Sequence, residues 1–222
     1  MTAHVLMLSS SRQGDEAYLE HARALIFAHL GDVRDLLFVP YAAVTQSYDE
    51  YVDAVSKALP ECNVTGLHTV EDPATAVNNA KKNGQAIVVG GGNTFHLLST
   101  LYANALIVPS KHAIADCTPY IGWSAGSNIC GQSIRTTNDM PIIEPPSFDA
   151  LDIVPCQLNP HYTDYQPPGH NGETSDQRLA EFTTLNPTTP VVAIREGTAL
   201  RLTDNQLTLV GEKDGFVFVG KE

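Results

Sequence analysis

The sequence predicts a three-layer α/β protein: a mostly parallel β-sheet with helices on both faces. Three observations carry this. Apolar runs of strand length alternate with stretches of helical spacing through the first half of the chain, the pattern of successive β-α-β crossovers. Two glycine-rich loops, Gly90-Gly91-Gly92 and Gly122-Trp123-Ser124-Ala125-Gly126, directly follow such runs, at the strand ends where an open parallel sheet binds ligands. Beyond residue 190, short β segments are separated by Asp204-Asn205 and Asp214-Gly215, so the chain should close with an antiparallel β extension.

Val5 to Leu8, ended by Ser9-Ser10-Ser11, is too short for a buried helix and suits a buried strand. A helix is expected from Asp15, with Leu19, Ala22, Ile26 and Leu30 on one face and Gly31 ending it. Leu36 to Val39 is the second strand. After Thr45 as N-cap, Tyr48, Val52, Val55 and Leu59 recur at helical spacing. Val64 to Val70 reads as a third strand, Asp72-Pro73 opens a short helix, and Gln85 to Val89 is the fourth strand. Asn93 to Asp116 reads as helix broken at Pro109, Tyr120 to Trp123 is the fifth strand, and helix resumes from Asn128 to Gln132. Met140 to Ser147 is a proline-rich loop, Leu151 to Leu158 a strand, Tyr162 to Gly172 a surface loop and Glu173 to Leu185 a helix. The closing β segments are Val191–Ile194, Ala199–Leu202, Leu207–Val210 and Val217–Val219.

At 222 residues with no linker-like stretch, one domain spanning 1–222 is the expectation. A formal charge of -12 leaves too few cations for a nucleic-acid or anionic-membrane surface. The N-terminus lacks a signal-peptide pattern and no run reaches membrane-spanning length, so the expected location is the cytoplasm. Cys62, Cys117, Cys130 and Cys156 are scattered without C-x-x-C spacing, as befits reduced thiols rather than a disulfide frame or a zinc site. A monomer or a homodimer fits this composition.

Chemistry is expected at Ser124, the apex of a glycine-flanked strand-to-helix turn, the address of a serine nucleophile. Such a serine needs a base and an acid that orients the base. His4, His21, His29, His68 and His112 fall on predicted helices or strands, where packing or surface roles explain them; His96 begins a helix and His170 lies in a Pro/Gly loop. His161 follows a strand and Pro160, and is the preferred base. Asp139 and Glu196, both in loop-like stretches, are the two candidate acids. Gly90-Gly91-Gly92-Asn93 lacks the G-x-G-x-x-G spacing and any Walker lysine. It suits an oxyanion hole, with a Gly91 or Gly92 amide joining that of Ala125.

These residues resemble the peptidase E family of aspartyl dipeptidases. Gly90-Gly91-Gly92-Asn93-Thr94-Phe95, Gly122-Trp123-Ser124-Ala125-Gly126, Arg135-Thr136-Thr137-Asn138-Asp139-Met140-Pro141 and Asn159-Pro160-His161 carry the likeness. The resemblance implies a serine peptidase with a flavodoxin-like, class I glutamine amidotransferase-like fold. It also implies dipeptide substrates with an N-terminal aspartate, and no metal or cofactor. Ser124 matches the nucleophile and His161 the base; Asp139 is the favoured third member and Glu196 the alternative. Arg135 is the expected clamp for the substrate β-carboxylate, since an acidic protein needs a local arginine fork there. Asn93, Thr136 and Thr137 are expected to supply neutral hydrogen bonds. Ser127 stands where the family has alanine, and Arg195 where it has proline. Two other readings remain at this level: a hydrolase of other aspartyl linkages, such as the β-aspartyl-arginine units of cyanophycin, and a non-catalytic module binding a nucleotide or phosphate at Gly90–Asn93.

Overall fold

The apolar runs form strands buried on both faces, because helices cover each side of the sheet. The computed structural model describes residues 3–169 and 171–220. Its strands are β1 (Val5–Leu8), β2 (Asp35–Val39), β3 (Asn63–Gly66), β4 (Gln85–Val89), β5 (Tyr120–Trp123), β6 (Gln157–Asn159), β7 (Val191–Ala193), β8 (Ala199–Thr203), β9 (Gln206–Val210) and β10 (Phe216–Phe218). The helices are α1 (Arg23–Leu30), α2 (Tyr48–Ala58), α3 (Pro73–Asn79), α4 (Thr94–Ala103), α5 (Ile107–Ala115), α6 (Ala125–Asn128) and α7 (Ser175–Leu185).

The main sheet has the order β3-β2-β4-β5-β1-β8-β9. Its first five strands are parallel, and β8 and β9 add antiparallel at the β1 edge. With β1 counted last, the parallel strands stand in the 2-1-3-4-5 arrangement of flavodoxin-type sheets, whose switch point then lies between β2 and β4. The alternation of side chains sorts the core into two halves. Val5, Met7, Ile87 and Val89 pack with Leu97, Leu98 and Ile114 on one face. Leu6, Leu8, Val88 and Trp123 pack with Ile26, Leu30, Tyr51 and Val55 on the other.

Several boundaries differ from the sequence reading. The first helix begins with a 3₁₀ turn at Glu20–Ala22 rather than at Asp15. Ser47, not Thr45, caps α2, in a capping box closed by Glu50. The long helix breaks at Ala105 (φ 53°), while Pro109 sits in the first turn of α5, where no helical N–H is lost. Leu151 to Cys156 is not strand: its backbone instead folds back on residues 129–132. The C-terminal β segments are divided between two sheets. β8 and β9 extend the main sheet, whereas β7 pairs parallel with β6 and antiparallel with β10 in a second, three-stranded sheet. That division carries the ends of β6 and β7, and the residues following them, to the carboxyl end of the main sheet.

Candidate active site

Ser124 joins β5 to α6 with φ 53° and ψ -112°, a conformation that costs a non-glycine residue about 1–3 kcal/mol. Close packing holds the turn. A Cβ on Gly126 would lie 2.2 Å from the Val89 carbonyl oxygen, so α6 seats directly on β4. The Ser127 hydroxyl lies 2.6 Å from the Leu8 carbonyl and 2.9 Å from the Gly122 carbonyl, its one proton shared between them. It thereby ties α6 to β1 and β5. Gly126→Ala is expected to destabilise the fold by at least ~2 kcal/mol, since overpacking against backbone has no side chain to give way; a urea unfolding midpoint equal to that of the parent would contradict this.

His161 (φ 57°) follows β6. Ser9, at the end of β1, accepts from the His161 amide at 2.9 Å and donates to the Ile194 carbonyl at 2.8 Å. Ser9 thus fastens together the loops after β6 and β7. Sequence reasoning passed over it as a strand terminator, although a polar run after an apolar strand was its signal. Across this junction His161 Nδ1 meets Glu196 Oε1 at 2.8 Å. Lys213 donates to the Glu196 carbonyl at 2.8 Å. Arg195 makes a bidentate pair with Asp164, at 2.8 and 2.7 Å, and this holds the Asp164 carboxyl below the usual range.

The acid expected first, Asp139, is engaged elsewhere. Its Oδ2 accepts from both the backbone amide (2.7 Å) and the hydroxyl of Thr94 at the start of α4. The carboxylate in contact with the His161 ring is that of Glu196, and Asp139 meets a helix N-terminus, a favourable place for a carboxylate. Asp139 nevertheless lines the same small cavity as Ser124, Ala125, Asn128, Thr137 and His161. Ser124 Oγ has no hydrogen-bond partner among the described residues. Such contacts commonly tighten only when substrate binds.

The residues expected to bind substrate divide into three groups. Thr137 faces the Ser124 cavity and donates to Thr94 Oγ1 at 3.0 Å. Asn93 and Thr136 make hydrogen bonds within the protein. Asn93 caps α4 and donates to the Met140 carbonyl at 2.8 Å; the buried Thr136 hydroxyl is spent on the Leu158 carbonyl at 2.8 Å. Arg135 lines an adjoining cavity that shares Thr137 and Asn138 with the first. There it lies 5.2 Å over the Phe182 ring, with Asn186 Oδ1 at 3.1 Å. Arg178, which helical spacing alone did not single out, lines that cavity too.

Gly91 abuts the nucleophile, for its missing Cβ would fall 2.9 Å from Ser124 Cβ. This sets Gly91 beside Ser124, the residue that precedes Ala125 at the start of α6. Of the other histidines, His29 is buried against the Tyr120 carbonyl, at 3.1 Å, and burial depresses its pKa to about 3. His68 pairs with Asp49 at 2.9 Å, and His96 contacts Thr100 at 3.1 Å. His170 lies outside the described residues. No helix among the described residues is long and apolar enough to cross a membrane.

The family model of peptidase family S51 matches residues 5–210. The chain belongs to this family. Peptidase E of Shewanella putrefaciens is 53% identical over 224 aligned positions, covering 100% of this chain and 93% of that one. Peptidase E of Shewanella denitrificans is 51% identical, covering 100% and 94%. A solved structure from Listeria monocytogenes EGD-e, described as a candidate peptidase E, superposes with a TM-score of 0.72 at 21% identity over 96% of this chain and all of that one. A peptidase from an acI-B1 Actinobacterium gives 0.65 at 18% identity, over 100% and 96%; these two show the fold alone. As a member of family S51 the protein is a serine peptidase, and its substrates are peptides.

Proposed function

We propose that this peptidase hydrolyses Asp-X dipeptides through an acyl-enzyme on Ser124, in the cytoplasm. The observation that carries the mechanism is the His161–Glu196 contact beside the cavity that Ser124 and His161 share. Glu196 accepts a hydrogen bond from Nδ1–H, leaving the Nε2 lone pair to take the Ser124 proton as Oγ attacks the scissile carbonyl. The Ala125 and Gly92 amides hold the developing oxyanion. His161 returns the proton to the leaving amine, and water then repeats the sequence to release aspartate.

Charge placement supports the substrate class. The free carboxylate edge of Asp139 and the unpartnered Oδ1 of buried Asn128 belong to residues lining the Ser124 cavity, and both accept from an α-ammonium. Arg135 and Arg178 line the next cavity, within an otherwise acidic chain. Acceptors in one chamber and guanidinium groups in the next complement the ammonium and β-carboxylate of an N-terminal aspartate. Asp-X is expected to exceed Asn-X and N-acetyl-Asp-X in kcat/KM by about 100-fold or more, the scale of a lost charge pair. Equal turnover of all three would overturn the specificity, and preference for β-linked aspartyl substrates would replace it.

A further inference from the structure

Tyr51, on α2, reaches both loops that build the Ser124 site. Its hydroxyl donates to the Gly91 carbonyl at 2.9 Å and accepts from the indole N–H of Trp123, the residue before Ser124, at 3.1 Å. We propose that Tyr51 is a positioning residue for the oxyanion hole: its hydroxyl fixes the Gly91–Gly92 peptide so that the Gly92 amide faces the acyl group on Ser124. This rests on the acyl-transfer reading above.

The argument is one of peptide orientation. The chain has no cis peptide among its described residues, and in a trans peptide the carbonyl and the following N–H point in opposite directions. With the Gly91 carbonyl directed at Tyr51, the Gly92 N–H is directed away from it. The side it faces follows from the neighbours. A Cβ on Gly90 would lie 2.6 Å from the Tyr51 hydroxyl, while one on Gly91 would lie 2.9 Å from Ser124 Cβ. Successive residues thus face Tyr51 and then Ser124. Among the described residues the Gly92 amide donates to no other group.

A peptide between two glycines flips easily, because neither residue carries a Cβ to resist it. The loop therefore needs an anchor from outside, and a tyrosine is well suited to the task. Its ring is buried and packs edge-on against Phe38, with centroids 5.0 Å apart. Burial raises the phenol pKa above its ordinary value, so the proton stays available for donation. The Trp123 N–H and the Tyr18 hydroxyl, at 3.1 and 3.3 Å, occupy the phenol oxygen as an acceptor and leave its proton for the Gly91 carbonyl. One hydroxyl thereby couples the two halves of the site.

Tyr51→Phe keeps the ring and removes the anchor on the Gly91 carbonyl, together with the acceptor for the Trp123 N–H and the Tyr18 hydroxyl. Its kcat on an Asp-X dipeptide is expected to fall roughly tenfold or more, part of the cost of losing an oxyanion donor outright, with KM within about twofold of the parent. The Ki of an aspartyl boronate, whose adduct on Ser124 mimics the tetrahedral intermediate, should rise by the same factor as kcat/KM falls. Binding of the product aspartate should change little; the thermal midpoint should fall, because the buried Trp123 N–H loses its acceptor, with the variant still fully folded at the assay temperature. Unchanged kcat and boronate affinity, or a loss shared equally by aspartate binding or by the folded fraction, would overturn the inference. Parent and Ser124→Ala proteins run alongside separate the two levels. An inactive parent removes the functional reading and the positioning role with it, whereas an active parent, an inactive Ser124→Ala protein and a fully active Tyr51→Phe protein remove the positioning role alone.

Discussion

Ser124→Ala is expected to lower kcat on Asp-X dipeptides by about a million-fold, the scale at which loss of a serine nucleophile disables the whole catalytic unit. The fold should survive. Ser124 Oγ bonds to no other group among the described residues, so its removal leaves no buried partner unsatisfied. Alanine meets the same backbone strain at φ 53° as serine does. The turn is held by Gly126 against Val89 and by the Ser127 hydroxyl shared between the Leu8 and Gly122 carbonyls, contacts that do not involve the Ser124 hydroxyl. The urea midpoint should therefore shift by no more than the equivalent of ~0.5 kcal/mol, as for a substitution outside any stabilising network. Stopped-time product analysis with a serine-directed reagent supplies the check: the parent should be labelled once at Ser124 and lose activity in step. Full turnover by a folded Ser124→Ala protein would remove the acyl-enzyme mechanism.

The parallel sheet was legible because β1, β2, β4 and β5 are apolar runs buried on both faces, a pattern that needs no tertiary information. Their carboxyl ends located Ser124 and the Gly91-Gly92 loop by the same logic. What escaped the sequence was pairing between distant segments. Nothing in Val191–Ala193 tells it to pair with β6, or Ala199–Thr203 to pair with β1, yet that choice brings Glu196 to His161. Asp139 is favoured in the sequence by the resemblance and by the Ser-Asp-His chain order; its carboxylate meets Thr94, 45 residues earlier. Tyr51 falls outside the helical face of Tyr48, Val52, Val55 and Leu59 that the spacing marks, and Ser9 reads locally as a strand terminator. Their contacts with Gly91 and His161 span 40 and 152 residues, beyond any local pattern.

The comparison of Glu196→Gln with Asp139→Asn tests this reassignment directly. In the proposed mechanism Glu196 accepts a hydrogen bond from His161 Nδ1–H and balances the imidazolium formed when Ser124 attacks. Glutamine keeps the shape but loses the charge, and its amide group can donate to Nδ1 and stabilise the tautomer with its proton on Nε2, which cannot serve as base. In a deeply buried triad that exchange costs about 10⁴-fold in kcat. Here His161 and Glu196 side chains are 40% and 52% exposed, so water screens the charge contribution. The tautomer effect remains, and a loss of about 10³-fold in kcat with little change in KM is expected. Asp139→Asn should behave differently. The asparagine oxygen still accepts from Thr94, so α4 keeps its place, while the negative charge beside the substrate ammonium disappears. That raises KM for Asp-X by roughly 10- to 100-fold, as expected for lost ground-state binding, and leaves kcat within about tenfold. Steady-state kinetics of both variants decide between the acids: a collapse of kcat in Asp139→Asn with Glu196→Gln near the parent would return the orienting role to Asp139. The expected opposite split makes Glu196 the third member of the triad and Asp139 the anchor of the substrate amine.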